Sequence, residues 1–358
     1  MNSHLRKARA RGAPGNPPGR FQRRETVAEH DGWDGEDDPL PLLRTTVAAE
    51  KSKTIITRNA SPDVPFEQSI NPYRGCEHGC VYCYARPAHA YMDLSPGLDF
   101  ETRLFYKPDG PRLLREELSR RGYRCKPIAF GTNTDPYQPA EQRLAVTREL
   151  LQVLVDCRHP FTIVTKSALI ERDLDLIATA AGRGLSAVMI SITTLDDGLK
   201  RSLEPRAASP RARLRVVRRL CDAGIPVGVL AAPIIPAVND GELEAILEAA
   251  AGAGASSAAY ILLRLPNEVR SLFIEWLEMH LPQRADHVMS LIRQMRGGRD
   301  NDSRFGHRMR GDGAFADLVA RRFAIACRKF GLKQGERAGL DCSQFVKPPA
   351  DAAQQSLF

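Results

Sequence analysis

From residue 127 to residue 280, short apolar segments alternate with longer segments that have helical periodicity. The predicted strands span residues 127–131, 161–165, 185–192, 225–231 and 257–263. The helices predicted to follow them span residues 139–157, 169–181, 210–223, 240–251 and 267–280. Apolar strands that are each followed by a helix favour a parallel sheet, because helices then cover one face and a packed interior covers the other. A further strand over residues 66–70 brings the number of βα units to six.

Right-handed crossovers roll such units into an arc or a barrel, and the residues that follow each strand then lie at one edge. Periodicity alone allows an open partial barrel of six units, an eight-stranded barrel or a doubly wound sheet. Between the first two strands, residues 84–92 and 112–121 are expected to be helical and residues 100–106 to form a strand.

Three domains are expected from composition. Residues 1–60 are rich in proline, glycine and blocks of like charge, which predicts a disordered N-terminal arm. Residues 61–281 form the core domain. Residues 282–358 form an α-helical C-terminal extension, with helices at 285–295 and 315–330, which either closes the open side of the barrel or packs on its outside.

Directly after the first strand, three cysteines follow at the spacing C-x3-C-x2-C: Cys76, Cys80 and Cys83. Gly75 and Gly79 give this segment the backbone freedom of a tight loop, so the three thiols can face one soft-metal centre. Three cysteines leave one position open in a [4Fe-4S] cluster, which takes four ligands. The alternative is a structural zinc site completed by His78 or by a distant cysteine.

Tyr82 stands directly before the last of these cysteines, and the loop resembles the signature of the radical S-adenosylmethionine (SAM) superfamily. The strings Asn-Pro-Tyr-Arg-Gly-Cys at 71–76 and Thr-Asn-Thr-Asp-Pro-Tyr-Gln at 132–138 resemble more narrowly the branch that contains spore photoproduct lyase and its bacterial relatives. The resemblance implies an α/β fold, a partial (βα)6 barrel of radical SAM type.

The resemblance also implies the chemistry of a lyase-like radical SAM enzyme. SAM would bind the open iron of a [4Fe-4S] cluster, and an electron from a donor such as a flavodoxin or a ferredoxin would cleave it to a 5′-deoxyadenosyl radical. That radical would abstract hydrogen from a substrate that the sequence does not identify. The narrower branch makes nucleic acid the candidate substrate, as for a lyase that repairs DNA lesions.

Two further SAM contacts follow from the resemblance. Tyr82 is expected to hold the adenine, by stacking or through its backbone. Much of the superfamily places a Gly-Gly-Glu-like motif after the second barrel strand to hold the methionine amino group. Here residues 132–135 stand in its place, so Asn133 and Asp135, or the two threonines of that loop, are the available replacements.

The next two strands supply the other candidates. Lys166, at a strand end, is expected to pair with the methionine carboxylate. Ser191 and Thr193 alternate along the fourth strand and therefore face the same side, where they are candidates to hydrogen-bond the ribose. Glu204 and Arg206 follow in a loop that can reach the same pocket.

In spore photoproduct lyase a cysteine thiol returns a hydrogen atom to the product radical. Cys125, just before the second strand, is the candidate for that role in this chain, and Cys342 in the tail is a second thiol without an assigned role. The competing interpretation of Cys125 is a small hydrophobic residue, as most buried cysteines are.

The net charge is +8 and the pI about 9.2. Residues 1–24 carry seven basic side chains and residues 25–38 carry seven acidic ones, so these two segments cancel. The surplus lies at 103–126, 200–219 and 293–310, which indicates either a nucleic-acid surface or solvated helix faces. A zinc-stapled nucleic-acid-binding protein without catalysis is therefore the alternative to an enzyme.

A cytoplasmic location without membrane insertion is expected. Five of the eight cysteines are scattered singly, which favours a reducing compartment. The basic N-terminus lacks the apolar stretch of a secretory signal, and no apolar run approaches the roughly 18 residues that span a bilayer.

Overall fold

The computed structural model of the protein describes residues 11–21, 43–335 and 339–348. Its strands are β1 (Thr46–Ala49), β2 (Ile56–Arg58), β3 (Gln68–Ile70), β4 (Tyr73–Arg74), β5 (Arg103–Tyr106), β6 (Ile128–Phe130), β7 (Phe161–Thr165), β8 (Ser186–Ser191), β9 (Val227–Ile234), β10 (Ser257–Leu262) and β11 (Lys333–Gln334). Its α-helices are α1 (Asp99–Thr102), α2 (Gly110–Ser119), α3 (Glu141–Leu144), α4 (Val146–Asp156), α5 (Leu174–Ala181), α6 (Asp197–Leu203), α7 (Pro210–Asp222), α8 (Leu243–Gly252), α9 (Val269–His280), α10 (Ala285–Gln294) and α11 (Ala314–Phe330). Short 3-10 helices span Arg86–Met92, Ala168–Asp173, Asp240–Glu242 and Pro282–Arg284.

The main sheet contains six parallel strands in chain order, each paired with the next: β3, β6, β7, β8, β9 and β10. Strand β2 extends one edge antiparallel to β3, and β11 extends the other edge parallel to β10. Within the described residues these two edge strands do not pair with each other, so the barrel is open. The predicted six βα units and open partial barrel are therefore confirmed. The strand order runs in one direction, whereas a doubly wound sheet would reverse it.

Apolar side chains from neighbouring strands form the buried core, and those of β6 to β9 lie on the face of the sheet that the helices cover. Phe130, Ile163, Val188, Val229 and Leu262 come from five adjacent strands, and each is at most 1% exposed. Burying one side chain of this kind stabilises the fold by about 1.5–3 kcal/mol, so the short apolar strands also supply much of the driving force for folding.

The helix expected over residues 139–157 is divided into α3 and α4 at Ala145, whose φ of 54° is left-handed. The Glu141 carboxylate accepts hydrogen bonds from the backbone N–H groups of Thr147 at 3.0 Å and Arg148 at 3.3 Å. It therefore caps the first turn of α4, which satisfies donors that a continuous helix would satisfy with carbonyls. Helical periodicity alone does not reveal this break.

A second, smaller sheet has the order β1-β5-β4. The strand expected over residues 100–106 begins only at Arg103, because residues 99–102 form the short helix α1. Strand β1 comes from the predicted disordered arm and pairs in parallel with β5. Within that arm, residues 11–21 and 43–60 are described, and they pack on the core; residues 1–10 and 22–42 lie outside the described residues.

Two parts of the C-terminal extension lie at different places on the barrel. Helix α11 packs against α8 on the outside of the barrel, where Arg322 Nη2 lies 2.6 Å from Glu244 Oε2. The loop 297–313 instead lies at the end of β10, since Leu262 N–H donates to the Met309 carbonyl at 2.9 Å. The domain boundaries themselves remain predictions. None of the helices that the described residues form has the length and apolar character needed to cross a bilayer.

Candidate metal centre and cofactor pocket

The three cysteines lie on a tight loop that follows β3 and β4. Gly75 has a φ of 75° and Gly79 a φ of 66°, values that favour glycine. Gly79 N–H donates to the Cys76 carbonyl at 3.3 Å, and Cys83 N–H donates to the Cys80 carbonyl at 3.2 Å. All three thiols are free, and two of them are at most 8% exposed. The loop thus presents three unpaired thiols from within eight residues.

Burial raises the pKa of Cys76, Cys80 and Cys83, and neighbouring groups modify that effect. At Cys80, Glu204 raises the pKa further, whereas Lys166 and Arg213 oppose both effects. These thiols are therefore protonated when no metal is bound, and a bound metal would deprotonate them.

The donor set fits an iron-sulfur cluster with an open position. Within residues 11–21, 43–335 and 339–348, no group of three or more His, Cys, Asp or Glu side chains is arranged to hold a single metal ion. A cubane cluster spreads its thiolate ligands over separate irons, so the cysteines need not converge on one ion. The cations Lys166 and Arg213 lie beside the loop, where they would stabilise an anionic cluster.

A buried ion cluster formed by Lys166, Glu204 and Arg213 lies next to this loop. Lys166 Nζ is 3.0 Å from Glu204 Oε1, and Arg213 Nη2 pairs with the other oxygen of the same carboxylate. Glu204 is fully buried, which alone would raise its pKa, but Arg213 and Lys166 lower the pKa well below its usual value. Two cations thus face one carboxylate, which leaves one positive charge within this ion cluster.

Lys166 also holds the polar residues of β8 and the segment that follows it. Its ammonium donates to Ser191 Oγ at 2.8 Å and to Thr193 Oγ1 at 3.0 Å. The structure therefore brings together the predicted ligands Lys166 and Ser191 with Thr193. It also shows that Lys166 is already paired with Glu204, a contact that the sequence did not indicate.

Tyr82 belongs to the same buried network. Its hydroxyl bonds to Glu204 and lies 3.2 Å from Thr193 Oγ1, while the Lys166 ammonium lies 5.8 Å from its ring centroid. Burial, followed by the charge of Glu204, raises its pKa well above the usual value. Tyr82 therefore connects the cysteine loop to the ion cluster with a neutral phenol.

Asp135 anchors the loop after β6. One carboxylate oxygen accepts from Thr165 Oγ1 at 2.7 Å and from Tyr137 N–H at 2.9 Å. The other accepts from Lys166 N–H at 2.8 Å and lies 3.4 Å from His78 Nδ1. Burial tends to raise the pKa of Asp135, but His78 and these hydrogen bonds lower it overall. The hydrogen-bonding capacity of the Asp135 carboxylate is thus used by other groups of the protein.

Asn133 lies in the same loop and makes fewer hydrogen bonds. Its backbone N–H donates to Asn71 Oδ1 at 3.0 Å, and Asn71 Nδ2 donates to Thr132 Oγ1 at 3.2 Å. Its side chain is half-buried. In the part of the chain that the structure describes, no hydrogen bond of the Asn133 side-chain amide is present, so this amide is free to receive a ligand.

Cys125 does not lie at the carboxyl ends of the strands, where the cysteine loop is. It precedes β6, whereas Asn133 and Asp135 follow that strand, so Cys125 lies at the opposite end of the barrel. Its thiol contacts Cys342, and burial together with that neighbour raises its pKa to about 12. A cavity of about 580 Å³ at the same end, lined in part by Lys126, Pro127 and Leu340, is likewise remote from the cysteine loop.

The mouth of the barrel carries basic and aromatic side chains. Arg264, which follows β10, places its guanidinium 5.3 Å from the ring centroid of Tyr84, the residue after Cys83. Arg308 stacks 4.7 Å from the Phe305 ring, which is 55% exposed, and binds Asp63 through two bonds of 2.6 and 2.7 Å. Among the described residues, Arg264 Nε is buried without a hydrogen-bond partner.

Two contributors to the site were underestimated from sequence. The sequence predicts Glu204 only as a neighbour in a nearby loop and does not indicate Arg213. Arg213 is 2% exposed on α7 and shares the inward face with Val216, Val217 and Leu220. A charged residue at an apolar position of a helix is the signal that could have identified it.

Comparisons with known proteins agree with this geometry. The family model described as Radical SAM superfamily matches residues 70–250. An uncharacterised protein of Mycobacterium tuberculosis strain ATCC 25618 / H37Rv is 39% identical over 233 residues, which cover 64% of this chain and 68% of that protein. An uncharacterised protein of Methanocaldococcus jannaschii is 29% identical over 173 residues, 48% of this chain and 62% of that protein.

Solved structures of spore photoproduct lyase share the fold. One variant superposes with a TM-score of 0.59 at 17% identity and covers 88% of each chain. Another, with bound AdoMet and dinucleoside spore photoproduct, gives a TM-score of 0.57 at 17% identity and covers 84% of this chain and 81% of that one.

The fold and the loop define an α/β barrel that carries three free cysteines on one loop at the carboxyl ends of its strands. The family match over half of the chain specifies this further: the chain belongs to the radical SAM superfamily. This confirms the resemblance seen in the cysteine loop and indicates an enzyme of SAM-dependent radical chemistry.

Proposed function

We propose that Cys76, Cys80 and Cys83 hold a [4Fe-4S] cluster and that the enzyme cleaves SAM reductively to act on a nucleic-acid substrate. The observation that carries the first part is the three-thiol loop beside the buried cluster of Lys166, Glu204 and Arg213. When bound, the iron-sulfur cluster would supply the electron that splits SAM into methionine and a 5′-deoxyadenosyl radical.

The residues of the pocket suit the charges of SAM. Lys166 and Arg213 outnumber Glu204, and the remaining positive charge favours the methionine carboxylate in a site shielded from water. Glu204 keeps Lys166 fixed between β7 and β8, so the ammonium is oriented before SAM arrives. Ser191 and Thr193 share that ammonium and remain the candidates for the ribose hydroxyls.

The methionine amino group is assigned to Asn133 in preference to Asp135. The four hydrogen-bonding partners of Asp135 come from the protein itself, whereas the Asn133 side-chain amide is uncommitted. Asp135 then acts as a positioning residue, since its bonds to Thr165 and to the Lys166 backbone fix the loop that presents Asn133.

The test is anaerobic reconstitution with iron and sulfide, followed by reductant and SAM. Wild type is expected to become brown and to form 5′-deoxyadenosine, while Cys80→Ala is expected to form none. Cys221→Ala is the matched control, because that cysteine lies on α7, outside the loop. Zinc in place of iron together with an absence of 5′-deoxyadenosine in wild type would support the zinc-stapled alternative and refute the enzyme proposal.

The mouth supports the nucleic-acid part of the proposal. Arg264 has an uncommitted donor and Arg308 lies close by, which suits a phosphate, and the exposed Phe305 ring offers a face on which a base can stack. Arg264 and Arg308 both lie close to Tyr84, next to the cysteine loop. A substrate held there would be close to the site where the radical forms.

Salt-dependent binding of DNA and RNA oligonucleotides tests this part. Arg264→Ala is expected to weaken binding by about tenfold. Arg215→Ala removes the same charge from the exposed face of α7, inside one of the basic segments, and should have little effect. Equal losses in both variants would assign binding to the basic helix faces, and no binding by wild type would remove nucleic acid from the proposal.

The proposal includes a flavodoxin or ferredoxin as electron donor and a cytoplasmic setting. All eight cysteines are free, which suits a reducing compartment. Reduction of the reconstituted protein by a purified flavodoxin system, in place of a chemical reductant, tests the donor.

A further inference from the structure

Residues 11–21, called the strap below, lie across the outer side of the cysteine loop. We propose that the strap is part of the cluster site: it holds the loop in its ligating conformation and shields it from solvent. This inference rests on the proposed cluster and adds a function for a segment whose composition predicted disorder. Arg11 is 4% and Ala13 is 1% exposed, so the strap is buried where it meets the loop.

The strap and the loop approach each other through two glycines. A Cβ atom built on Gly12 would overlap the carbonyl oxygen of Gly79, which lies between Cys76 and Cys80. A Cβ built on Gly79 would in turn overlap the Glu101 carboxylate. Backbone therefore rests directly on backbone at the centre of the loop, and no room for water remains between them.

Glu101 connects the strap to a cluster cysteine. Its carboxylate is fully buried and accepts from Gly12 N–H at 3.0 Å and from Ala13 N–H at 2.8 Å. The same carboxylate pairs with Arg86 at 2.5 Å, and Arg86 Nε donates to the Cys80 carbonyl at 2.9 Å. A continuous chain of charge-assisted bonds thus runs from the strap to Cys80.

A second connection reaches the other end of the loop. Arg11 Nη2 donates to Thr45 Oγ1 at 3.1 Å, and Thr45 donates to Glu77 Oε1 at 2.6 Å. Glu77 follows Cys76 directly and also binds Arg206 at 3.1 Å. Two independent paths therefore fix the backbone beside Cys76 and beside Cys80, in the way that outer partners orient the ligands of metal sites.

Further bonds hold the strap along its length. Leu98 N–H donates to the Gly15 carbonyl at 3.1 Å, and Ser95 Oγ donates to the Pro17 carbonyl at 2.6 Å. At its far end, Phe21 packs on Tyr91 with ring centroids 5.1 Å apart. Because the strap is held at so many points, it forms a fixed side of the site.

The matched pair Gly12→Ala and Gly15→Ala tests the strap. Both add one methyl group to the same segment, but Gly12 faces the Gly79 carbonyl and Gly15 has nothing within 4 Å. In the iron-free protein, iodoacetamide should label Cys76, Cys80 and Cys83 faster in Gly12→Ala than in Gly15→Ala, with the partly exposed Cys221 as the internal standard. After reconstitution, Gly12→Ala should lose iron to a chelator about tenfold faster than Gly15→Ala.

Labelling needs no cluster, so its result separates failure of the strap from failure of the proposed function. Equal labelling and equal iron loss in the two variants would overturn the inference. Arg11→Ala provides a second case if Gly12→Ala does not fold, because it removes side-chain bonds and adds no atoms to the contact. A folded Arg11→Ala variant that is labelled as slowly as wild type and retains iron as well as wild type would also overturn the inference.

Discussion

Lys166 Nζ and Glu204 Oε1 lie 3.0 Å apart in a pocket where the glutamate is fully buried, and Arg213 holds the second oxygen of that carboxylate. The relationship joins the end of β7 to the end of α6 directly beside the cysteine loop. Because a buried carboxylate is stable there only between its two cations, the triad gives separate predictions for folding and for SAM binding.

Glu204→Gln should destabilise the fold by about 3 kcal/mol, because Lys166 and Arg213 would then be buried without a counter-charge. Urea unfolding of the cluster-free protein at pH 7 measures the change. Glu278→Gln, an exposed position on α9, is the control and should unfold like wild type. A Glu204→Gln variant as stable as that control would contradict the assigned role of the triad.

Lys166→Met should weaken SAM binding by about tenfold, since it removes the residual positive charge that faces the methionine carboxylate. Calorimetric titration of the reconstituted enzyme with SAM checks this. Lys329→Met removes an exposed charge from α11 and should leave the affinity unchanged. Unaltered affinity in a folded Lys166→Met variant would assign the carboxylate to another group.

His159 should make stability depend on pH. Burial lowers its pKa to about 4, and its Nε2 lies 2.7 Å from the Tyr123 hydroxyl. A lowered histidine pKa contributes stability that is present above the unfolded value of about 6.5 and is lost as the pH falls toward the folded value.

The difference in unfolding free energy between wild type and His159→Gln should therefore change by up to about 3 kcal/mol between pH 7 and pH 4. Urea titrations at several pH values measure this difference. The exposed His287→Gln should follow wild type throughout. Parallel pH curves for wild type and His159→Gln would show that this histidine does not titrate as described.

Ala145→Gly should leave stability unchanged or raise it by up to about 1 kcal/mol, because Ala145 has a φ of 54° and glycine adopts that conformation without steric cost. The same change at Ala178, inside α5, should cost about 1 kcal/mol. Thermal unfolding of both variants measures the contrast. Equal losses at the two positions would contradict the helix break between α3 and α4.

The barrel could be predicted from sequence because its strands are short, apolar and regularly followed by helices. The cysteine loop could be predicted because its spacing is local. The break at Ala145 depends on Glu141, whose side chain caps the next helix. Hydrophobic periodicity does not reveal such a side-chain contact. The positions of Asn133, Asp135 and Lys166 at the strand ends followed from the fold.

The strap and the ion triad could not be predicted in the same way, because each depends on contacts between distant residues. Gly12 and its neighbours have a composition typical of disorder, but Glu101, Leu98 and Ser95, far along the chain, hold them by hydrogen bonds. The sequence indicates Lys166 and Glu204 only as separate members of the pocket. Their pairing, with Arg213, needs the three-dimensional structure.

The most direct test of the central claim is electron paramagnetic resonance of the reduced, reconstituted protein before and after SAM is added. We expect a [4Fe-4S] signal whose g values change on addition of SAM, because three cysteines leave one iron open to it. Cys80→Ala should form no such cluster. A wild-type signal that SAM does not alter, or a protein that binds zinc and forms no cluster, would refute the proposed [4Fe-4S] site.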